Sequence, residues 1–453
     1  MDPVELFHQV AATVPAYRAF LAEHDVNPSQ ITTFRDFERL PMTTKDTYIR
    51  RHPLPDLCRG GVIGDLVAVS SGSTGEPAFW PRSASDERVI ADRFEEVFIE
   101  SFAARERRTL AVVCFALGTW VGGLFTVNCC RHLAERGHPI TVIAPGTDRR
   151  EIARVLPALA PHFDQVVLLG YPPFLKNVID TEDLPWASWN LKLVTAGEVF
   201  SEEWRALVAA RAGIADPVRG IASLYGTADA GVLGNETALS VEIRRFLSAR
   251  PATARELFGE SRLPTLVQYD PDVRFFEEHQ GTLLFSGDNG IPLIRYHIAD
   301  EGGVIPYDRM LDFVRHHRFE PSAAGPERPF AYVFGRSHFT VSYYGANVYP
   351  ENIAVGLEQP EVSARVTGKF VMEVVEDDHR DRHLTVTVEL MPGEKPSDET
   401  AQAVGEAVLT QLRRLNSEFA AYVPPAQQAP FIRLRESGDP EYFPPGAKHR
   451  YTR

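Results

Sequence analysis

Between Leu66 and Ala196 short apolar runs alternate with stretches of helical periodicity. Leu66–Val69, Leu110–Phe115, Pro139–Ala144, Gln165–Leu169 and Leu191–Ala196 read as strands. Ser85–Phe102, a glycine-rich segment beginning near Thr119, Asp148–Leu159 and Pro172–Ile179 read as the helices between them. That alternation specifies an α/β fold, a mostly parallel sheet with covering helices. The first ~60 residues read as helical, with breaks at Asn27-Pro28 and Leu40-Pro41 and a short capped helix from Thr32/Thr33 to Phe37.

After about residue 265 the pattern changes. Leu266–Tyr269, Gly281–Ser286 and Ile291–Tyr296 read as antiparallel strands, and Glu320–Arg328 as a loop. Beyond Gly335 a strand pair, Lys369–Val375 and Leu384–Leu390, precedes a helix with Val404, Ala407, Val408, Leu412 and Leu415 on one face. The expectation is a large N-terminal domain, 1–335, with mixed sheets and covering helices, and a small α+β domain, 336–453. A chain of 453 residues has room for both.

Charge narrows the function classes. Lysine plus arginine is 47 against 61 acidic residues, a formal charge of −14, so nonspecific binding to nucleic acid or anionic lipid is disfavoured. No run approaches the ~18 apolar residues of a membrane span. The start, Met1-Asp2-Pro3-Val4-Glu5, lacks the basic and apolar pattern of a secretory signal. The four cysteines, Cys58, Cys114, Cys129 and Cys130, show no metal-ligand spacing and read as buried thiols of a cytoplasmic protein.

Five motifs could carry chemistry, the fourth made of two stretches. Ser70-Ser71-Gly72-Ser73-Thr74-Gly75-Glu76-Pro77 follows a strand and offers backbone amides and hydroxyls to a triphosphate, without the GxxxxGK[ST] pattern. Leu224-Tyr225-Gly226-Thr227-Ala228-Asp229 presents a carboxylate that could face a phosphate-bound Mg²⁺. Ile294-Arg295-Tyr296-His297-Ile298-Ala299-Asp300 ends a strand on an aspartate suited to a ribose diol. Gly335-Arg336-Ser337, Tyr344–Pro350 and the tail Pro444–Arg450 follow. Read singly, each is also a turn, a cap or an exposed tail. His316-His317 and the charged run Asp377–His383 read as solvated surface.

In this order the motifs resemble the adenylate-forming superfamily of acyl-CoA synthetases, adenylation domains and luciferases, and most closely its phenylacetate–CoA ligase branch. The resemblance spans essentially the whole chain. It implies ATP-dependent activation of a small, aromatic carboxylic acid as an acyl-adenylate, with release of pyrophosphate and transfer to coenzyme A. It places Ser71, Gly72, Ser73, Thr74 and Gly75 on the β- and γ-phosphates, Ala196, Gly197 and Glu198 beside adenine, and Tyr225 stacked on it with Gly226 and Thr227. It implies Mg²⁺ at Asp229, the ribose at Asp300 assisted by Arg336, and adenylation by Lys448. The small domain would be mobile about a hinge at 336–338, including His338. Phe115, Gly118, Trp120, Gly122 and Tyr171 would line the acid pocket. Relatives in the branch are often homodimers.

The chain departs from the family pattern in five places, one of them the spacing from Lys448 to Arg450, which is shorter than in the usual tail. No lysine follows Pro77, Ala228 stands where serine or threonine is common, Asp229 replaces glutamate, and His338 replaces the hinge aspartate. Two other readings stay open. The adenylate could pass to an amine or a carrier protein, or the enzyme could activate an oxyacid such as nitrite for diazo formation. A non-catalytic nucleotide-binding regulator is the third.

Overall fold

A computed structural model describes residues 1–70, 77–259, 263–336, 340–443 and 451–452. They fall into two units. The first is formed by Met1–Ser70, Ala78–Gly170 and Leu175–Gly335. The second is built on Arg336 and the residues after it, with Tyr171–Phe174.

In the first unit β1 (Leu66–Ser70) and β2 (Ala78–Arg82) pair antiparallel, with Ser70 opposite Ala78. Eleven more strands, among the described residues, share one sheet. They are β3 (Thr109–Val113), β4 (Ile140–Ile143), β5 (Gln165–Gly170), β6 (Lys192–Ala196), β7 (Ile221–Thr227), β8 (Gly231–Asn235), β9 (Thr265–Gln268), β10 (Arg274–His279), β11 (Thr282–Gly287), β12 (Leu293–Ile305) and β13 (Phe330–Arg336). Their order is β10-β11-β12-β13-β9-β8-β7-β6-β5-β3-β4. Strands β4, β3, β5, β6 and β7 run parallel, and β7 then pairs antiparallel with β8. The mixed α/β fold is therefore borne out.

The parallel half follows directly from the sequence. Every residue of β3 and β5 is buried, as expected of strands covered on both faces. The intervening helices carry their own start signals. Asp148 caps Arg149–Leu159 by accepting from the amides of Arg150 and Glu151 at 2.9 and 3.1 Å. Ser83 and Asp86 form a capping box on Ala84–Glu96. That helix passes into a π turn at Val97–Ser101, so the single helix expected to Phe102 changes pitch. The capped helix expected near Thr33 is Phe34–Phe37, closed by Thr33 and Asp36.

The antiparallel half was only partly legible. Strand β12 is far longer than the Ile291–Tyr296 run, because it carries polar residues that pair only in the tertiary fold. The segment Glu320–Arg328 is irregular, as its composition predicts.

In the second unit β14 (Val341–Tyr343) and β15 (Ala346–Val348) form a hairpin whose two loop residues, Tyr344 and Gly345, both have positive φ. Asn416 holds this hairpin, donating to the Asn347 carbonyl at 2.7 Å and to Asn352 Oδ1 at 2.9 Å. A three-stranded sheet follows, β16 (Val366–Glu376), β17 (Arg382–Leu390) and β18 (Phe431–Arg435), in that order. Helix Asp398–Leu415 buries Val404, Ala407, Val408 and Leu412. The charged run Asp377–Asp381 is the turn between β16 and β17, and no helix among the described residues is long and apolar enough to cross a membrane.

One buried ionic cluster ties the middle of the large sheet together. Arg205, 1% exposed, donates to Glu202 Oε2 at 2.9 Å, Glu236 Oε1 at 2.8 Å and the Ile221 carbonyl at 2.5 Å. Glu236 Oε2 accepts from the Ser223 amide at 2.8 Å, and Arg244 completes the ring by donating to Glu202 and to the Pro264 carbonyl. Burial alone would raise the Glu202 pKa, but Arg205 and Arg244 outweigh it and hold the carboxyl below its ordinary value. Removing one partner strands a buried charge, so Arg205→Met is expected to cost about 3–5 kcal/mol in denaturant unfolding. A loss under about 1 kcal/mol would show that the cluster contributes little to stability.

Candidate active site

Strands β3, β5, β6 and β7 end on the same edge of the sheet. Val113 faces Leu169, Gly170 faces Thr195 and Ala196 faces Leu224 across the parallel ladders. The segments Phe115–Trp120, Ala196–Glu198 and Tyr225–Asp229 all leave from that edge. The chain from β3 goes to β4 on one side and the chain from β5 goes to β6 on the other. Such a reversal opens a crevice at the carboxyl ends of the strands, where ligands bind in open α/β sheets.

The turn between β7 and β8 is tightly built. A Cβ at Gly226 would lie 2.8 Å from the Gly231 carbonyl oxygen and 3.2 Å from Val232 Cα, so only glycine allows this close pairing. Thr227 Oγ1 accepts from the Ala230 amide at 3.1 Å. Arg82, buried on β2, donates to the carbonyls of Ala228 at 2.7 Å and Asp229 at 3.1 Å. Burial lowers the pKa of this guanidinium, with Asp86 and Asp229 opposing the shift. The backbone around Asp229 is thus clamped from β2.

Asp300 is presented differently. The ladder between β11 and β12 shifts register between the pairs Thr282–Glu301 and Leu284–His297, and Ala299 has φ +62°. A left-handed non-glycine residue in a bulged strand re-aims the side chain that follows it.

The two aspartates are interlocked. Tyr225 precedes Asp229, and Tyr296 precedes Asp300, by the same four-residue step along the chain. Each tyrosine bonds the other segment's carboxylate. Tyr225 donates to Asp300 Oδ2 at 2.8 Å, and Tyr296 donates to Asp229 Oδ2 at 2.5 Å. Asp229 and Asp300 are 3% and 5% exposed. Carboxylates this buried persist as anions only with donors around them.

Lys45 joins the pair from the N-terminal region. Its Nζ lies 3.8 Å from Asp229 Oδ1, 3.3 Å from Ser70 Oγ and 5.4 Å from the centroid of the Trp80 ring. Trp80 Nε1 donates to the same Ser70 oxygen at 2.8 Å. In the sequence, Ser70 directly precedes Ser71, Gly72, Ser73, Thr74 and Gly75. Those five residues lie outside the described residues.

Next to Arg82 an apolar recess opens. It is lined by Leu66, Ala68, Gly118, Trp120, Leu124 and Phe125, among others. Phe125 also packs beside Gly231, where an added Cβ would sit 3.6 Å from its Cζ, so the recess adjoins the Asp229 turn. Of the expected pocket residues, Gly118 and Trp120 line it. Phe115 is buried and Gly122 lies in the helix Val121–Glu135, and neither is on the wall. Tyr171 belongs to the second unit.

Glu198 is buried, and Gly197 takes φ +89° after β6. Arg336 ends β13. His338 and Lys448 lie outside the described residues. Beyond the latter, Tyr451 is held to β16 by the Met372 amide at 2.8 Å. All four cysteines are buried. Burial pushes the Cys130 thiol up to about 12 and raises those of Cys58, Cys114 and Cys129, so none is a ready thiolate.

No family model matches the chain. The phenylacetate-coenzyme A ligase of Thermus thermophilus is 26% identical over 370 residues, 77% of this chain and 72% of that protein. Among solved structures, 2-hydroxyisobutyryl-CoA ligase with 2-HIB-AMP and CoA in its thioesterification state superposes with a TM-score of 0.64 at 17% identity. That match covers 100% of this chain and 87% of the other. An open conformation of the same ligase gives a TM-score of 0.54 at 18% identity, over 91% and 86% of the two chains. The chain is thus similar in sequence to a phenylacetate-coenzyme A ligase and shares the fold of these solved ligase structures.

Of the residues that the sequence motifs point to, Tyr225, Asp229 and Asp300 are brought together by the fold. The motifs gave no role to Lys45, Arg82 or Tyr296. The repeated Tyr-x-x-x-Asp step was a visible signal for Tyr296, whereas Lys45 and Arg82 carried none. Because Gly226 touches backbone across the hairpin, Gly226→Ala must push the Asp229 turn outward. It is expected to lower stability by about 1–3 kcal/mol, measured by thermal unfolding. An unchanged melting temperature would show that the hairpin end yields without cost.

Proposed function

We propose that the protein activates a small carboxylic acid with ATP, as an acyl-adenylate with release of pyrophosphate, and then transfers the acyl group to coenzyme A. The observation that carries this reading is the interlocked pair Asp229–Tyr296 and Asp300–Tyr225, formed between the β7–β8 turn and β12. The named activity of the Thermus relative and the adenylate and CoA bound by 2-hydroxyisobutyryl-CoA ligase support it.

The chemistry asks for positioning more than for covalent help. A carboxylate oxygen of the acid bonds to the α-phosphorus, and the bond from that phosphorus to the pyrophosphate oxygen breaks in line. Asp300 holds the ribose hydroxyls, with Arg336 assisting. Tyr225, Gly226 and Thr227, with Ala196, Gly197 and Glu198, flank the base. Ser71–Gly75 bind the outer phosphates, and Lys448 supplies positive charge to the reacting centre.

Asp229 suits Mg²⁺. It offers one carboxylate, and among the described residues no group of three or more His, Cys, Asp or Glu could hold a metal alone. Mg²⁺ is commonly bound by one or two carboxylates and substrate phosphates. Bound there, it would neutralise phosphate charge. The apolar recess takes the body of the acid, and its aromatic wall at Trp120 and Phe125 favours a flat one. The chain divides functionally into 1–335 and 336–453, with the hinge at 336–338 between the two half-reactions.

The decisive assay is ATP–pyrophosphate exchange against a panel of carboxylic acids and nitrite, with and without CoA and simple amines. Acid-dependent exchange followed by a thioester on adding CoA is expected. Exchange that yields product only with an amine would replace CoA as acceptor. In the same assay, Asp300→Asn is expected to weaken ATP binding at least tenfold. Lys448→Ala is expected to cut exchange by two orders of magnitude or more with ATP binding retained. An unchanged ATP dissociation constant in the first variant, or unchanged exchange in the second, would remove that residue from its role.

A further inference from the structure

The N-terminal segment around Lys45 is built onto the strand that carries Tyr296 and Asp300. The Thr43 amide donates to the Arg295 carbonyl at 3.1 Å, the His297 amide donates to the Thr43 carbonyl at 2.9 Å, and Thr43 Oγ1 donates to the Ile294 carbonyl at 2.8 Å. Thr43 therefore extends the sheet by one bridge, opposite Tyr296, and is wholly buried. The next turn is closed by reciprocal bonds. The Thr44 amide donates to Thr47 Oγ1 at 3.1 Å and the Thr47 amide to Thr44 Oγ1 at 3.0 Å. Lys45 rides on this fixed turn, so its stem starts from a set position.

Its ammonium is placed among three features of the site. Ser70, 3.3 Å away, is the residue immediately before the segment assigned to the phosphates. Asp229 Oδ1, at 3.8 Å, is beyond good hydrogen-bonding distance, so the pair is an electrostatic contact rather than a closed bond. The Trp80 face, at 5.4 Å, favours a cation there. Among the described residues the ammonium makes one hydrogen bond, to Ser70, and it has three protons to donate. The Lys45 side chain is 21% exposed and that of Asp229 only 4%, so the lysine reaches solvent where the carboxylate does not.

We propose that Lys45 is a substrate-binding cation of the adenylation step, contributed by the N-terminal segment, whose ammonium holds an anionic oxygen of the reacting centre. The inference rests on the AMP-forming reading above. The oxygen belongs either to the α-phosphate or to the carboxylate of the acid, since both are oxyanions that converge as the new phosphorus–oxygen bond forms. No proton moves in this step. The departing pyrophosphate takes the electron pair of the broken bond, and the lysine stays charged throughout. A fixed donor aimed at charge that develops in the transition state contributes on the order of 10²–10³ in rate.

The test compares Lys45→Met and Lys45→Arg in the full-length protein by ATP–pyrophosphate exchange, by calorimetric binding of ATP and of AMP, and by thermal unfolding. Lys45→Met is expected to lower kcat/KM for exchange about a hundredfold, with Lys45→Arg recovering at least a tenth of the wild-type value and both melting within a few degrees of wild type. A rise in KM confined to ATP, with weaker AMP binding, assigns the ammonium to the α-phosphate; a rise confined to the acid assigns it to the carboxylate. A folded Lys45→Met protein with exchange within threefold of wild type overturns the proposal. So does an equal loss in both variants that tracks a lowered melting temperature, since that is a packing role. Failure of wild-type exchange with every acid would instead defeat the AMP-forming reading, and nucleotide binding by the two variants would still decide whether Lys45 holds phosphate.

Discussion

Two buried carboxylates that each depend on a tyrosine from the other's segment set the constraint around which the site is organised. Taking a charge out of water is costly unless donors replace the lost hydration. Here Tyr296 donates to Asp229 and Tyr225 to Asp300, so these bonds form only when the hairpin of β7 and β8 and the bulged strand β12 are brought together. The glycines at 226 and 231, the Arg82 clamp and the left-handed Ala299 all serve that meeting. Lys45 then adds a cation at the rim, carried by a turn that is itself paired to β12.

The sheet explains why the site lies where it does. The parallel strands place several loops on one edge, and the reversal between β3 and β5 separates those loops into a crevice. The antiparallel strands supply what a parallel sheet does not, a long strand that crosses beside the β7–β8 hairpin and delivers Tyr296 and Asp300. The Arg205 cluster fixes the helix Glu202–Ala212 to the start of β7 and to Glu236, the residue after β8. Rigid support of this kind is what a positioning mechanism requires.

The parallel half could be read from the sequence because strands buried on both faces are continuously apolar and helices repeat every 3.6 residues. Val166–Leu169 and the Asp148-capped helix are instances. Strand β12 resisted, since His297, Asp300 and Glu301 find their place only through partners far along the chain. Strand β18 resisted for the same reason, pairing in parallel with β17 across an intervening helix. In the site, Tyr225, Asp229 and Asp300 announced themselves through motif order. Lys45 did not, because Thr44-Lys45-Asp46-Thr47 is indistinguishable by composition from an exposed turn, and only its bridge to Tyr296 gives it a place.

The exchange of tyrosines has an evolutionary side. Because each segment donates to the other's carboxylate, a change in either tyrosine removes a hydrogen bond from a buried acid, and selection would meet that cost before any benefit in specificity appeared. The two stretches are therefore tied into one unit of inheritance, whereas the apolar wall at Leu66, Ala68 and Leu124 takes no part in that exchange. On the proposed reading, a lineage built on this plan would change which acid it accepts more readily than how it holds its nucleotide.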